Sequence, residues 1–267
     1  MSIPKFGVLL SPYEDILKQI EFFGKSKFDF VEFSVEEPMV TPEFISKNKQ
    51  KIRKVMEKYN LFATVHGPLN SEMGSNYSDI RAGWLRFNKK FIRLFSNLSV
   101  KKFLFHTRFQ IIGEENKTLE RIFLDNYVSS FDQIASFSKK YGIKIVIENG
   151  MRIGFKGTKN IKHILDRAKE LGLCLDFGHA FVHEGMKNIE TFFKLLGNRI
   201  EHVHMHDNHG NFDEHLPIGK GKINYPYIVK MLKRIDYDKT ITFEVFTTKE
   251  DILKSREKIK MMWQKIK

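Results

Sequence analysis

Residues 202–215 read HVHMHDNHGNFDEH, which puts five of the chain's ten histidines and three acidic residues into fourteen positions. Imidazole and carboxylate together are the donors of a transition-metal site, or the two halves of a proton relay. The same side chains recur upstream, each closing a short apolar run. His66 ends TVHGP, His106 ends LFHTR, Glu148 ends IVIENG, Asp176 and His179 lie in LDFGHA, and Glu244 sits in TFEVF. Apolar strands ordinarily exclude such groups, because a buried charge without a partner or a metal is costly. One buried histidine alone is usually a hydrogen-bonded core residue, and one glutamate alone can cap a helix. Six consecutive strand ends that each deliver such a group point to a shared purpose. No arginine stands among these positions, so divalent cations are the natural counter-charge. Mixed His/Asp/Glu donors suit zinc, manganese or iron better than calcium. A single cysteine, Cys174, excludes a cysteine-rich zinc knot and reads as a small buried residue of a cytoplasmic protein.

The elements that must position these residues alternate without a break. Short β-type runs (KFGVLL, FDFVEFSV, LFATVHG, KKFLFHT, IKIVIEN, LCLDFGH, IEHVHMHD and TITFEVF) are separated by amphipathic stretches such as PEFISKNKQKIRKVMEKY. Gly142 and Gly172 read as helix ends. Eight βα units in 267 residues, with no linker or low-complexity block, imply one domain over residues 1–267. Its expected class is α/β, a closed (β/α)8 TIM barrel. An open doubly wound sheet fits less well, because no glycine-rich phosphate fingerprint follows the first strand. In such a barrel catalytic residues belong at the C-terminal ends of strands, where these histidines and carboxylates fall. No run of eighteen uncharged apolar residues occurs, so neither a membrane span nor a signal peptide is expected. The net charge of +13 shifts the odds modestly towards polyanionic partners, including nucleic acid.

Within the histidine-rich stretch, alternation puts His202, His204 and His206 on one face of a strand at different depths. His204 is the expected ligand. His202, nearer the floor, reads as structural, and His206 as an outer contributor. Asp207 faces the other way, placed to orient a neighbouring ligand. In the loop beyond, Asp213 and His215 stand two apart and can grip one ion, while His209 and Glu214 read as solvated.

These residues resemble the pattern of the xylose isomerase-like TIM barrels, which include sugar isomerases, epimerases and endonuclease IV. The resemblance runs from the first strand to Glu244 and the final helix. Glu148, Asp176, His204 and Glu244 match the metal set seen broadly in that superfamily. The endonuclease IV pattern implies more: His66, His106 and Glu148 around one zinc ion, Asp176, His204 and Glu244 joining Glu148 around a second, and His179, Asp213 and His215 around a third. Manganese is an alternative metal. The implied activity is hydrolysis of damaged double-stranded DNA at abasic sites, with Glu148 and Glu244 at the chemical centre. In the isomerase or epimerase alternative those two glutamates exchange protons with a sugar or sugar phosphate. The match to endonuclease IV is imperfect around the ligands. HGP is followed by Leu69 rather than tyrosine, DFGH replaces DTCH, HMHD replaces H-x-N-D, and Glu214 stands where arginine is usual. SDIR and HLPIGKG are instead similar to sugar phosphate isomerase/epimerase-like members.

Overall fold

Eight strands pair in parallel and in chain order, and the last pairs with the first, in a computed structural model that describes residues 2–107, 117–150, 158–182 and 184–266. The strands are β1 (Lys5–Leu10), β2 (Phe30–Ser34), β3 (Phe62–His66), β4 (Val100–His106), β5 (Lys144–Glu148), β6 (Gly172–Asp176), β7 (Ile200–Met205) and β8 (Thr240–Phe243). The helices between and after them are α1 (Ile16–Lys25), α2 (Pro42–Lys58), α3 (Ser78–Phe95), α4 (Lys117–Lys139), α5 (Thr158–Arg167), α6 (Phe177–Phe181), α7 (Met186–Leu196), α8 (Tyr225–Arg234) and α9 (Lys249–Lys265). The expected closed (β/α)8 barrel is therefore the observed architecture. Among the described residues no helix is long and apolar enough to cross a membrane.

Local chemistry explains where helices start. Asp15, Thr41, Asn224 and Thr248 each accept a hydrogen bond from a backbone N–H of the first turn of α1, α2, α8 and α9. Proline at the start of α2 and α8 adds a pre-set φ where no N–H is needed. Gly142, at φ +66°, ends the turn after α4 as expected. Gly172 does not end a helix: it opens β6. A Cβ there would lie 2.3 Å from Cγ of Glu201, so its role is a close approach between strands.

Alternation along the strands sorts side chains into two layers. Phe103 and Phe105 of β4, Ile145 and Ile147 of β5, Leu173 and Leu175 of β6, Val203 and Met205 of β7, and Ile241 and Phe243 of β8 all join the core under the helices. The intervening positions line the barrel axis. There Leu104, Val146 and Cys174 form a small separate apolar cluster. Above and below it the interior is polar. The strand registers His106↔Glu148 and Asp176↔His204 bring the C-terminal residues of neighbouring strands to one level.

Candidate metal centre

Glu148 sits at the centre of the upper layer and is fully buried. Its Oε2 lies 2.7 Å from His106 Nε2 and 3.5 Å from His66 Nε2, and its Oε1 lies 3.1 Å from His204 Nδ1. Glu244 Oε1 is 3.0 Å and Asp176 Oδ2 is 3.7 Å from the same Nδ1. At the rim, Asp213 Oδ2 lies 2.8 Å from His215 Nε2 and 3.3 Å from His179 Nε2. All nine residues expected as ligands from the sequence thus meet at the C-terminal mouth. They fall into three groups whose donor atoms lie within 4.8 Å of one another: His66, His106 and Glu148; Glu148, Asp176, His204 and Glu244; and His179, His206, Asp213 and His215.

The last group contains one more residue than expected. His206 is fully buried, with Nε2 3.2 Å from Asp176 Oδ1 and 3.5 Å from Asp213 Oδ1. It belongs to the cluster rather than to a surrounding layer. Asp207 also differs from its expected role. Its carboxylate accepts from the backbone N–H groups of Asn208, Gly219 and Ile223, and its backbone pairs with Leu216. It therefore folds the rim loop that carries Asp213 and His215, and orients no ligand ring. His209 and Glu214 hold each other at the loop surface, Nδ1 to Oε2 at 3.0 Å.

Backbone and side-chain partners fix the histidine tautomers. His66 Nδ1 faces Gly67 O at 3.0 Å, His179 Nδ1 faces Asn149 O at 3.0 Å, and His215 Nδ1 faces Glu244 O at 2.8 Å. A carbonyl only accepts, so each Nδ1 carries the proton and each Nε2 turns a lone pair towards the cluster. His204 has the opposite arrangement. Its Nε2 donates to Glu32 Oε1 at 3.0 Å, leaving Nδ1 for the centre. A carboxylate behind a ligating histidine in this way sets its orientation and raises its basicity.

Glu32 was not singled out from the sequence, yet it is the hub beneath the site. Its Oε2 accepts from Thr64 Oγ1 at 2.6 Å, Thr242 Oγ1 at 3.0 Å and His202 Nε2 at 2.9 Å. The signal was available: FVEFS carries its one charge at an interior position of the alternation. DFGH also differs from its reading as a strand end, because Phe177 begins the short helix α6. Asp176 caps that helix through Oδ1, which accepts from His179 N at 2.6 Å.

The electrostatics favour cations. Burial would raise the Glu148 carboxyl, but the charges of His106 and His204 outweigh it and hold it well below the usual range. Burial would lower His179 and His204, yet the carboxylates around each raise both well above an ordinary imidazole. Glu244 is pushed up to about 7 by burial, His204 opposing and the charges of Glu148 and Asp176 reinforcing. The cluster thus gathers negative charge that protons alone must balance. Glu148 Oε2, Asp176 Oδ2, Asp213 Oδ1, Glu244 Oε1 and both nitrogens of His206 are buried and, close as several lie to one another, make no aligned hydrogen bond. Such atoms in a native interior call for an explanation, and a donor set of this composition fits divalent transition metals.

A cavity of about 780 Å³ opens over the cluster, lined by His66, His106, His179, Asp213, His215 and Glu244. Its outer wall includes Tyr13, Leu69, Phe246 and Lys249.

Comparison with known proteins places this arrangement. Over 190 residues the chain is 32% identical to the uncharacterized protein MJ1614 of Methanocaldococcus jannaschii, covering 70% of this chain and 72% of the relative. It is 26% identical over 226 residues to a probable endonuclease 4 of Aquifex aeolicus, covering 77% of each. A solved structure of a D-tagatose 3-epimerase-like protein superposes with a TM-score of 0.84 at 29% identity, covering 98% of both chains. The family model described as xylose isomerase-like TIM barrel matches residues 21–265, and the chain belongs to that family.

Proposed function

We propose that the protein is a metal-dependent phosphodiesterase that works through a multinuclear centre, with abasic sites in double-stranded DNA as its substrate. The observation that carries this reading is the meeting of three donor groups at one barrel mouth, two of them sharing Glu148. A sugar epimerase needs one such group. Divalent ions, when bound, supply Lewis acidity that activates water and screens the charge of a phosphodiester. Glu148 would belong to the donor sets of two ions, which His66, His106, Asp176, His204 and Glu244 would complete. Zinc suits these donors best, and manganese is accommodated by the same types. Tyr13 and Phe246, exposed beside the cavity, offer ring faces on which a displaced base can stack, and the positive net charge draws a polyanion. The similarity to a probable endonuclease 4 supports the same choice.

The test is incision of a duplex that carries one abasic site, with zinc or manganese, alongside Asp213→Ala and His215→Ala. Cleavage that both substitutions suppress is expected. Absence of incision over a broad pH range rejects the DNA substrate.

A second reading, a sugar or sugar-phosphate epimerase, is favoured by the 29% identity to a D-tagatose 3-epimerase-like protein. Here Glu148 and Glu244, which both lie close to His204 Nδ1, would pass a proton on and off a sugar carbon. Ketose interconversion by a preparation that holds one ion per chain would establish it.

A further inference from the structure

We propose that His206 is a fourth protein ligand at the rim, so that His179, His206, Asp213 and His215 enclose one transition-metal ion completely. The proposal rests on the multinuclear reading above and changes what the rim ion does. Four protein donors fill the tetrahedral preference of zinc, as they do where zinc is structural, whereas catalytic zinc keeps an open position. The rim ion would then be a fixed part of the wall. An open position for substrate or water would be left to the three-donor group of His66, His106 and Glu148.

Three independent observations support this role. First, the His206 ring is fully buried, and neither of its nitrogens has a hydrogen-bond partner. Its Nε2 points between two carboxylates, Asp176 Oδ1 at 3.2 Å and Asp213 Oδ1 at 3.5 Å, and Asp213 Oδ1 is itself without a partner. Second, the ring is held in place. It stacks on His215 with centroids 3.9 Å apart, His215 stacks on Phe246 at 3.9 Å, and Tyr225 Oη donates to the His206 carbonyl. Third, the chain makes room for it. A Cβ on Gly178 would lie 1.8 Å from His206 Cε1, so glycine in DFGH and histidine in HMHD occupy one space between them. Both positions depart from the endonuclease IV pattern, where the motifs read DTCH and H-x-N-D. Histidine in this position at 206 requires glycine at 178.

The other partners are already committed. His179 and His215 spend their Nδ1 protons on Asn149 O and Glu244 O, so their Nε2 lone pairs face Asp213. His206 adds the fourth donor to that set. Three imidazoles and one carboxylate select zinc or cobalt over magnesium or calcium.

Metal content and the visible spectrum of the cobalt form test this without reference to activity. The wild-type chain, stripped and then dialysed against zinc, is expected to retain three ions. Cobalt(II) added to the stripped chain should give the intense absorption of tetrahedral sites, with the rim ion contributing its own share. His206→Asn should weaken that ion by at least about tenfold and remove its tetrahedral signature, while the other two stay. Gly178→Ala, which drives the ring aside, should do the same. Three ions bound by His206→Asn with unchanged affinity and spectrum would overturn the fourth-ligand role but leave the multinuclear reading standing. Loss confined to the central ion would also overturn it, by showing that His206 merely orients Asp176. A wild-type chain that holds only one ion would reject both readings.

Discussion

At the floor of the barrel Glu32 accepts four hydrogen bonds and His202 engages both ring nitrogens, whereas His206, four residues further along the same face, makes no aligned hydrogen bond through either of its own. All three are fully buried. The residue types are the same in the two regions, so composition does not separate them. Hydrogen-bond satisfaction does. A buried polar network with every atom partnered specifies and rigidifies a core, whereas one with unpartnered donors and acceptors costs stability unless something else binds. The lower layer is thus a support and the upper layer a receptor, with His204 shared between them through Glu32 Oε1.

The largest effect that would sharpen this contrast comes from Glu148, where two donor groups meet. Glu148→Gln should abolish retention of two ions and lower phosphodiester cleavage on the order of a thousandfold or more. Metal analysis and incision rates check it. Stability of the metal-free chain should fall as well, because the surrounding histidines hold this carboxylate in its charged form. A variant that keeps its metal would break the division between receptor and support.

Glu32 tests the link between the layers. Glu32→Gln keeps the shape but withdraws the negative charge behind His204. The affinity for the ion that His204 holds should drop by about 10- to 100-fold, with the rim ion unchanged. Competition with a chelator measures both. Glu32→Ala, which strips partners from His202, Thr64 and Thr242 at once, should instead cost about 3–5 kcal/mol of stability in denaturant unfolding. If Glu32→Gln leaves metal affinity untouched, the floor acts on its own.

Legibility in the sequence follows the same contrast. The eight strands are readable because their outward residues are almost all apolar, and six of the mouth residues because each interrupts or follows such a run at its end, whereas His179, Asp213 and His215 lie beyond the strands. Glu32 escaped notice because it interrupts its run in the middle, where a charge looks like a flaw in the strand. Its meaning depends on His202, 170 residues away in the chain. His206 was placed on the correct face, but its depth depends on the space at Gly178, which no spacing rule encodes. The role of Asp207 is hidden for a related reason. Its partners are backbone N–H groups of a loop whose course the side chains alone do not fix.

The pH dependence of stability separates the layers in opposite senses. For the upper layer, burial and the neighbouring carboxylates raise Glu244 from 4.5 to about 7 in the metal-free chain. A raised folded-state value means that the favourable contribution is complete below pH 4.5 and is lost as pH climbs through 7. The metal-free chain should therefore lose up to roughly 3 kcal/mol across that window from this group. Saturating zinc should abolish the loss, because the metal takes the charged form and displaces the proton. Unfolding midpoints with and without zinc between these limits measure it. A loss of the same size with zinc bound would remove Glu244 from the metal centre.

The smallest effect belongs to the floor. Lys102 points into the barrel beneath Glu32, where its Nζ donates to Glu201 O at 2.6 Å and to Thr240 Oγ1 at 2.5 Å. Burial lowers it from 10.5 to about 8, with the Glu201 charge opposing. Below pH 8 the ammonium is charged in both folded and unfolded chains, and its burial penalty is felt in full. Between 8 and 10.5 the unfolded chain holds the proton more readily than the folded one, so stability rises with pH. Lys102→Met should remove that rise, which is on the order of 1–3 kcal/mol, and leave zinc content unchanged. The slope of stability against pH is the informative quantity, because the lost hydrogen bonds to Glu201 and Thr240 shift the absolute value at every pH alike. A floor substitution that altered metal content would show that the two layers are coupled beyond His204, with Lys102 acting through Thr240 and His202 on the ligand above.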